Sequence, residues 1–192
     1  MRYVHAWLIL GMWTAWLLYW GAAALRTRAT IRQESVSSRL LHNTPLLIGV
    51  WLLTFQGLPG TWLNARFLPR GDEWFWLGAV MIAAGLLWSV FARLHLGANW
   101  SAVVTLKQGH ELIRTGPYRW TRHPIYTGLL LAIAGSVIAQ GEWRSLLALA
   151  LITAAFLCKI SVEEHFMSAE FPDAYARYRA EVPALVPFPR QR

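Results

Sequence analysis

A single cysteine, Cys158, stands among 192 residues, and it sits inside an apolar run. An intrachain disulfide is therefore excluded, and so is a cysteine-based zinc site. Acid is scarce too: 10 Asp and Glu face 18 Lys and Arg, a formal net charge of +8. Such a balance raises the question of nucleic acid. No basic stripe interleaved with stacking aromatics is present, however. The basic residues gather in loops between apolar runs, as they do in membrane proteins with positive cytoplasmic loops. A clear small-x-small cleavage site is missing after the first apolar run, which is therefore expected to be a retained span rather than a signal peptide. Internal repeats and low-complexity tracts are lacking as well.

Apolar residues, by contrast, are plentiful. The chain is 56% hydrophobic, with 12 Trp and a mean hydropathy of +0.35; a soluble domain sits nearer about 45–50% apolar. Apolar runs near the length of a bilayer crossing, about 20 residues, recur along it. Five spans are expected, over about 3–25, 45–63, 74–96, 124–139 and 143–160. The second is interrupted by Gln56, Gly57, Pro59 and Gly60 and is expected to be broken, tilted or partly re-entrant. Only Gln140, Gly141 and Glu142 separate the last two runs, which forces an antiparallel hairpin.

The loops 26–42 and 93–123 and the segment after 158 hold 14 basic residues, against 4 on the other side. The predicted topology therefore has the N-terminus outside and the C-terminus cytoplasmic. Beyond Glu164 the chain turns polar. Phe171, Tyr175, Tyr178 and Val182 recur at helical spacing, and Pro172 suits the first turn of that helix. The expected fold class is all-α: an integral membrane protein with about five transmembrane helices and a cytoplasmic C-terminal helical segment.

Two polar clusters break this apolar pattern. The first is Gly116-Pro117-Tyr118-Arg119-Trp120-Thr121-Arg122-His123-Pro124-Ile125-Tyr126. Pro124 marks a helix start. Arg122 and His123 then lie where free backbone N–H groups favour a carboxylate or phosphate. A plainer reading has them snorkelling to lipid phosphates. The second cluster is Lys159, Glu163 and Glu164. Lys159 and Glu163 share a helix face, and adjacent carboxylates beside a span are costly unless paired or solvated. Its plainer reading is a solvated helix end with one ion pair. The hairpin returns the second cluster to the membrane face of the first, so the two read as halves of one site. Gly97-Ala98-Asn99-Trp100-Ser101 and Gly109 add a flexible loop around Lys107 to Ile113.

The ordered set His110-Glu111-Leu112-Ile113, Gly116-x-Tyr118, Arg122-His123-Pro124-x-Tyr126-x-Gly128, Glu163-Glu164, Phe171, Tyr175, Tyr178, Val182-Pro183 and Pro187-Phe188 resembles the isoprenylcysteine carboxyl methyltransferase family. That family is related to the phospholipid methyltransferases. The resemblance covers about residues 93–189. It implies a single membrane domain in which 1–92 supply spans and 93–192 form a catalytic half binding S-adenosylmethionine from the cytosol. It further implies that His110, Glu111, Leu112, Ile113, Tyr118, His123, Pro124, Ile125, Tyr126 and Glu163 hold that methyl donor, with no metal required.

Arg122, Lys159 and Glu163 are the expected catalytic residues, Arg122 and Lys159 also meeting the acceptor. The family usually carries Arg where this chain has Lys159, which keeps the charge but not the bidentate fork. The implied acceptor is the carboxylate of a prenylated cysteine or a similar amphiphile, reached from the lipid bilayer. An amine-headed phospholipid is the alternative acceptor. A nicotinamide-dependent sterol reductase, usually a much longer chain, and a non-enzymatic lipid-headgroup binder are the readings from other classes.

Overall fold

A computed structural model describes residues 2–25, 30–55, 62–97, 100, 105–107 and 112–187. Six helices dominate them: α1 (Arg2–Ala24), α2 (Val36–Thr54), α3 (Asp72–Leu96), α4 (Pro124–Gln140), α5 (Trp143–Glu170) and α6 (Pro172–Glu181). Two short strands, β1 (Thr30–Gln33) and β2 (Thr105–Lys107), pair antiparallel. This ladder is an addition to the all-α expectation. It ties the segment after α1 to the loop after α3.

Three helical stretches have the length and apolarity to cross a membrane: His5–Ala24, Asp72–Leu96 and Trp143–Glu170. The apolar α4 is shorter. The helix α2 replaces the expected span over 45–63. It starts earlier because Ser35 caps it, accepting from the Ser38 backbone N–H, and it carries Pro45 within its length. It ends at Thr54, so part of the expected second span, 56–61, lies outside the described residues.

The tightest packing joins α3 to α4. A Cβ on Gly85 would fall 2.4 Å from the Gly128 carbonyl oxygen, and one on Gly78 2.4 Å from that of Gly135. Glycine at these four positions lets the two backbones touch, as small residues do between membrane helices. The crossed order of the pairs makes α3 and α4 antiparallel. Ile82, Leu86 and Ala132 fill the space between them, with Trp13 and Trp16 of α1 packed alongside.

The indoles of Trp13 and Trp16 donate to Ser136 (3.2 Å) and Ser89 (2.8 Å) and anchor α1. A second cluster, Ile133, Ile152 and Phe156, joins α4 to α5 and to Leu46 and Leu53 of α2. Gly141, at φ 64°, stops α4 in the left-handed conformation and turns the chain directly into α5. Large apolar side chains such as Leu17, Leu18, Val80 and Leu87 remain exposed. In water such a surface would be costly; in hydrocarbon it is not.

The helices thus share two ends. At one lie the end of α1 and the starts of α2 and α4, with the last turns of α3 and α5 and all of α6. At the other lie the start of α1, the end of α2, the start of α3 and the α4–α5 hairpin.

Candidate active site

The first end gathers both polar clusters. Pro124 occupies the first turn of α4, and this sets Arg122 and His123 at the helix entrance. The helix α5 does not stop near Ile160 but runs on to Glu170, carrying Lys159, Glu163 and Glu164 past that entrance. The helix α6 then folds back. Tyr175, Tyr178 and Val182 bury together with Leu112, Met167 and Phe171.

The two neighbouring carboxylates have different surroundings. Glu164 is buried. Its Oε1 accepts from Arg122 Nε (2.9 Å) and Nη2 (2.6 Å), and lies 3.2 Å from His123 Nε2. Glu163 borders a cavity that Glu164 does not reach. Its Oε1 accepts from the Tyr126 hydroxyl at 2.5 Å, and its Oε2 lies 3.4 Å from His123 Nδ1.

His123 therefore bridges the pair. Burial disfavours its charged form, but the hydrogen bonds and charges of Glu163 and Glu164 outweigh that and hold its pKa above the usual 6.5. Burial first, then the nearby Glu163 charge, pushes the Tyr118 phenol far up, so it stays protonated at neutral pH. Tyr178 donates its hydroxyl to the Tyr118 carbonyl at 2.5 Å.

Arg122, expected beside an acceptor, reaches the cavity wall but spends most of its donors within the protein. Besides the two bonds to Glu164, its Nη1 donates to the carbonyls of Arg179 and Val182. Four of the five guanidinium N–H groups are thereby used within the protein. The backbone N–H groups of Arg122 and His123 are used likewise, on Pro183 (2.9 Å) and Ala184 (3.0 Å). The anion site expected at this helix start is thus occupied in part by the chain's own carbonyls.

The cavity measures about 920 Å³. At the polar end Leu112, Ile113, Tyr118, His123, Tyr126 and Glu163 line it, with Ile125, Arg122 and Lys159 also on its wall. Lys159 Nζ stands 6.0 Å from the centre of the Tyr126 ring. Pro124 is buried behind the wall, and His110 and Glu111 lie outside the described residues. From there the cavity runs as an apolar groove between α1, α2, α4 and α5, past Trp13, Leu46 and Ile133, to Gln140 at the other end.

The groove walls on α1 and α2 were not singled out in the sequence, where 1–92 read as spans alone. The spacing of Trp13, Trp16 and Trp20 was the available signal, one face of a helix.

A sequence profile of the isoprenylcysteine carboxyl methyltransferase family matches residues 76–169, from α3 to the end of α5. The chain is 31% identical over 131 residues to a probable protein-S-isoprenylcysteine O-methyltransferase of Oryza sativa subsp. indica, covering 65% of this chain and 69% of that one. It is 31% identical over 159 residues to the cobalt-zinc-cadmium resistance protein CzcN of Cupriavidus metallidurans, covering 78% and 68%. It spans less than two thirds of the length of other curated relatives that it matches. A solved eukaryotic intramembrane Ras methyltransferase aligns with a TM-score of 0.48 at 20% identity, over 78% of this chain and 63% of that one. With the rice relative matched over most of its length and the family profile matched across the polar site, the chain belongs to the isoprenylcysteine carboxyl methyltransferase family, whose members are integral membrane proteins.

Proposed function

We propose that the chain is an S-adenosylmethionine-dependent methyltransferase of the membrane. Its proposed acceptor is the carboxylate of a prenylated cysteine or a similar amphiphile. The observation that carries this reading is the two-part cavity: a charged, hydrogen-bonding end continuous with an apolar groove along the bundle. A small polar substrate needs only the first part, and a lipid only the second. An amphiphile that must meet a polar co-substrate needs both.

The residues at the polar end fit the methyl donor. Glu163, steadied by His123, offers a carboxylate to its cationic groups or ribose, and Leu112 and Ile113 offer an apolar surface to its adenine. Tyr118, Pro124, Ile125 and Tyr126 complete that wall, with His110 and Glu111 as further members of the set. When bound, S-adenosylmethionine supplies a methyl group already activated on a sulfonium, so a carboxylate acceptor needs no general base. What remains for the protein is positioning. Lys159, on the cavity wall, holds the acceptor anion. Tyr126 and His123 fix the Glu163 carboxylate. Arg122 acts through Glu164 and the α6 carbonyls, keeping both clusters in register rather than touching the acceptor.

In the membrane, residues 1–92 supply spans and groove wall and 93–192 the donor site. The polar end faces the cytoplasm and the N-terminus lies outside, in keeping with the Lys and Arg distribution.

Calorimetry tests the donor claim. Purified protein is expected to bind S-adenosylmethionine, with affinity falling at least about tenfold in Glu163→Ala and His123→Ala, the loss of one charge-assisted contact. Absence of binding by the wild type, or unchanged binding by both variants, contradicts it.

A further inference from the structure

Glu34 and His42 form a second buried ionisable pair, outside the 93–189 stretch that resembles the family. Their side chains are almost fully enclosed, and Glu34 Oε1 lies 3.7 Å from His42 Nε2. The Ser38 hydroxyl donates to Glu34 Oε2 at 2.7 Å. A buried carboxylate and imidazole on the first turns of a helix are expensive to desolvate, and capping does not explain them, because Ser35 performs it.

Helix register shows what they face. On antiparallel α2 and α5, a Cβ on Gly49 would meet Ile152 and the Ala148 carbonyl. Two turns earlier on α2 is His42; two turns later on α5 is Lys159. The charges of Lys159 and Glu163 accordingly reach His42, and that of Glu34 reaches Tyr126. Leu46, one turn beyond His42, already lines the cavity.

We propose that Glu34 and His42 are positioning residues that hold the Lys159 ammonium at the acceptor end of the cavity. The proposal rests on the methyltransferase reading for what Lys159 binds. Glu34 also follows β1 directly, so the same pair fastens the β1–β2 ladder to α2. A lysine lacks the fixed fork of an arginine and holds its aim only if its neighbours hold it. Glu163 stands one turn on along its own helix and the Tyr126 ring beside it, and the register brings the Glu34–His42 pair up from across the α2–α5 contact.

Two readouts on purified protein in lipid nanodiscs test this. The first is the rate of Lys159 reductive methylation by formaldehyde and cyanoborohydride, followed by peptide mass spectrometry at pH 8. Glu34→Gln loosens the restraint on the Lys159 side chain, so labelling is expected to rise about threefold or more, the weight of one lost polar contact. Glu34→Asp is expected to stay near wild type. The second is steady-state methyl transfer to N-acetyl-S-farnesylcysteine. In Glu34→Gln and His42→Gln the acceptor KM is expected to rise about tenfold, with the dissociation constant of S-adenosylmethionine unchanged.

If Glu34→Gln does not fold, Ser38→Ala, which removes the 2.7 Å bond to Glu34, is expected to show the same signs at smaller size. Unchanged labelling, or donor and acceptor affinities weakened together, overturns the proposal. A shift in labelling from a wild type that methylates no such acceptor supports the pair and overturns the substrate reading instead.

Discussion

A buried arginine organises each end of the bundle, but only one of the two ends leaves further charge facing a cavity. At the α4–α5 hairpin, Arg144 is 2% exposed. It pairs with Glu142 at 2.6 Å and donates to the carbonyls of Leu52 (2.6 Å), Leu53 (3.3 Å) and Phe55 (3.0 Å), where α2 ends. Helix ends leave such carbonyls without partners and favour a cation, so Arg144 closes that end. Arg66 does the same for α4 through the Gln140 carbonyl at 2.6 Å.

At the other end Arg122 also takes carbonyls, from Arg179 and Val182, and one carboxylate, Glu164. There, however, a second carboxylate, Glu163, a histidine and a lysine remain on the wall of a large cavity. A buried charge cluster that balances internally is a clasp. One that leaves charge facing a cavity is suited to a ligand.

The contrast can be broken by mutation. The largest effect belongs to the clasp: Arg144→Ala strands several carbonyls and is expected to cost about 3–5 kcal/mol of stability. It should lower the melting temperature in detergent while folded protein keeps its donor affinity; lost donor affinity at unchanged melting would reverse the assignment. Glu164→Gln, which weakens the partner of Arg122, should likewise cost stability more than binding, about 2–3 kcal/mol.

Glu163→Gln should do the reverse, lowering S-adenosylmethionine affinity about 10- to 100-fold, the value of a charged hydrogen bond, with little change in melting. Similar profiles for Glu163→Gln and Glu164→Gln would erase the distinction. Lys159→Ala is expected to raise the acceptor KM about tenfold and to leave the donor constant alone.

The smallest effect is on pH. His123 binds its proton more tightly folded than unfolded, so its contribution to stability is complete below about pH 6.5 and is lost as pH rises through its elevated folded pKa. Melting temperature should fall over that window in wild type and fall less in His123→Gln.

Much of the site was legible in the sequence, because it depends on local signals. Pro124 at a helix start, Gly141 after a helix, and the apolar face of Tyr175, Tyr178 and Val182 each act within a few residues. The misplaced features depend on contacts distant in sequence. Hydropathy ended α5 near Ile160, since Glu163 and Glu164 look solvated until Arg122, His123 and Tyr126 arrive from α4. It began the second span at Pro45, because Arg39 and His42 resemble a loop, whereas His42 pairs with buried Glu34. The partners of Arg144 on α2 are equally invisible, about ninety residues away in sequence. The pairing of Thr30–Gln33 with Thr105–Lys107 joins two strands too short to show alternation. The bonds of Arg122 to the carbonyls of Arg179 and Val182 are invisible to local pattern, since these partners lie at the end of α6.

The most direct test compares two acceptors with the same carboxylate, N-acetyl-S-farnesylcysteine and N-acetyl-S-methylcysteine, in nanodiscs with labelled S-adenosylmethionine. Base-labile label in the product reports a methyl ester. Transfer to the farnesylated acceptor alone is expected, abolished or nearly so in Glu163→Gln and retained per folded molecule in Arg144→Ala. No ester from either acceptor, or equal transfer to both, would contradict a cavity built to bring an amphiphile to a methyl donor.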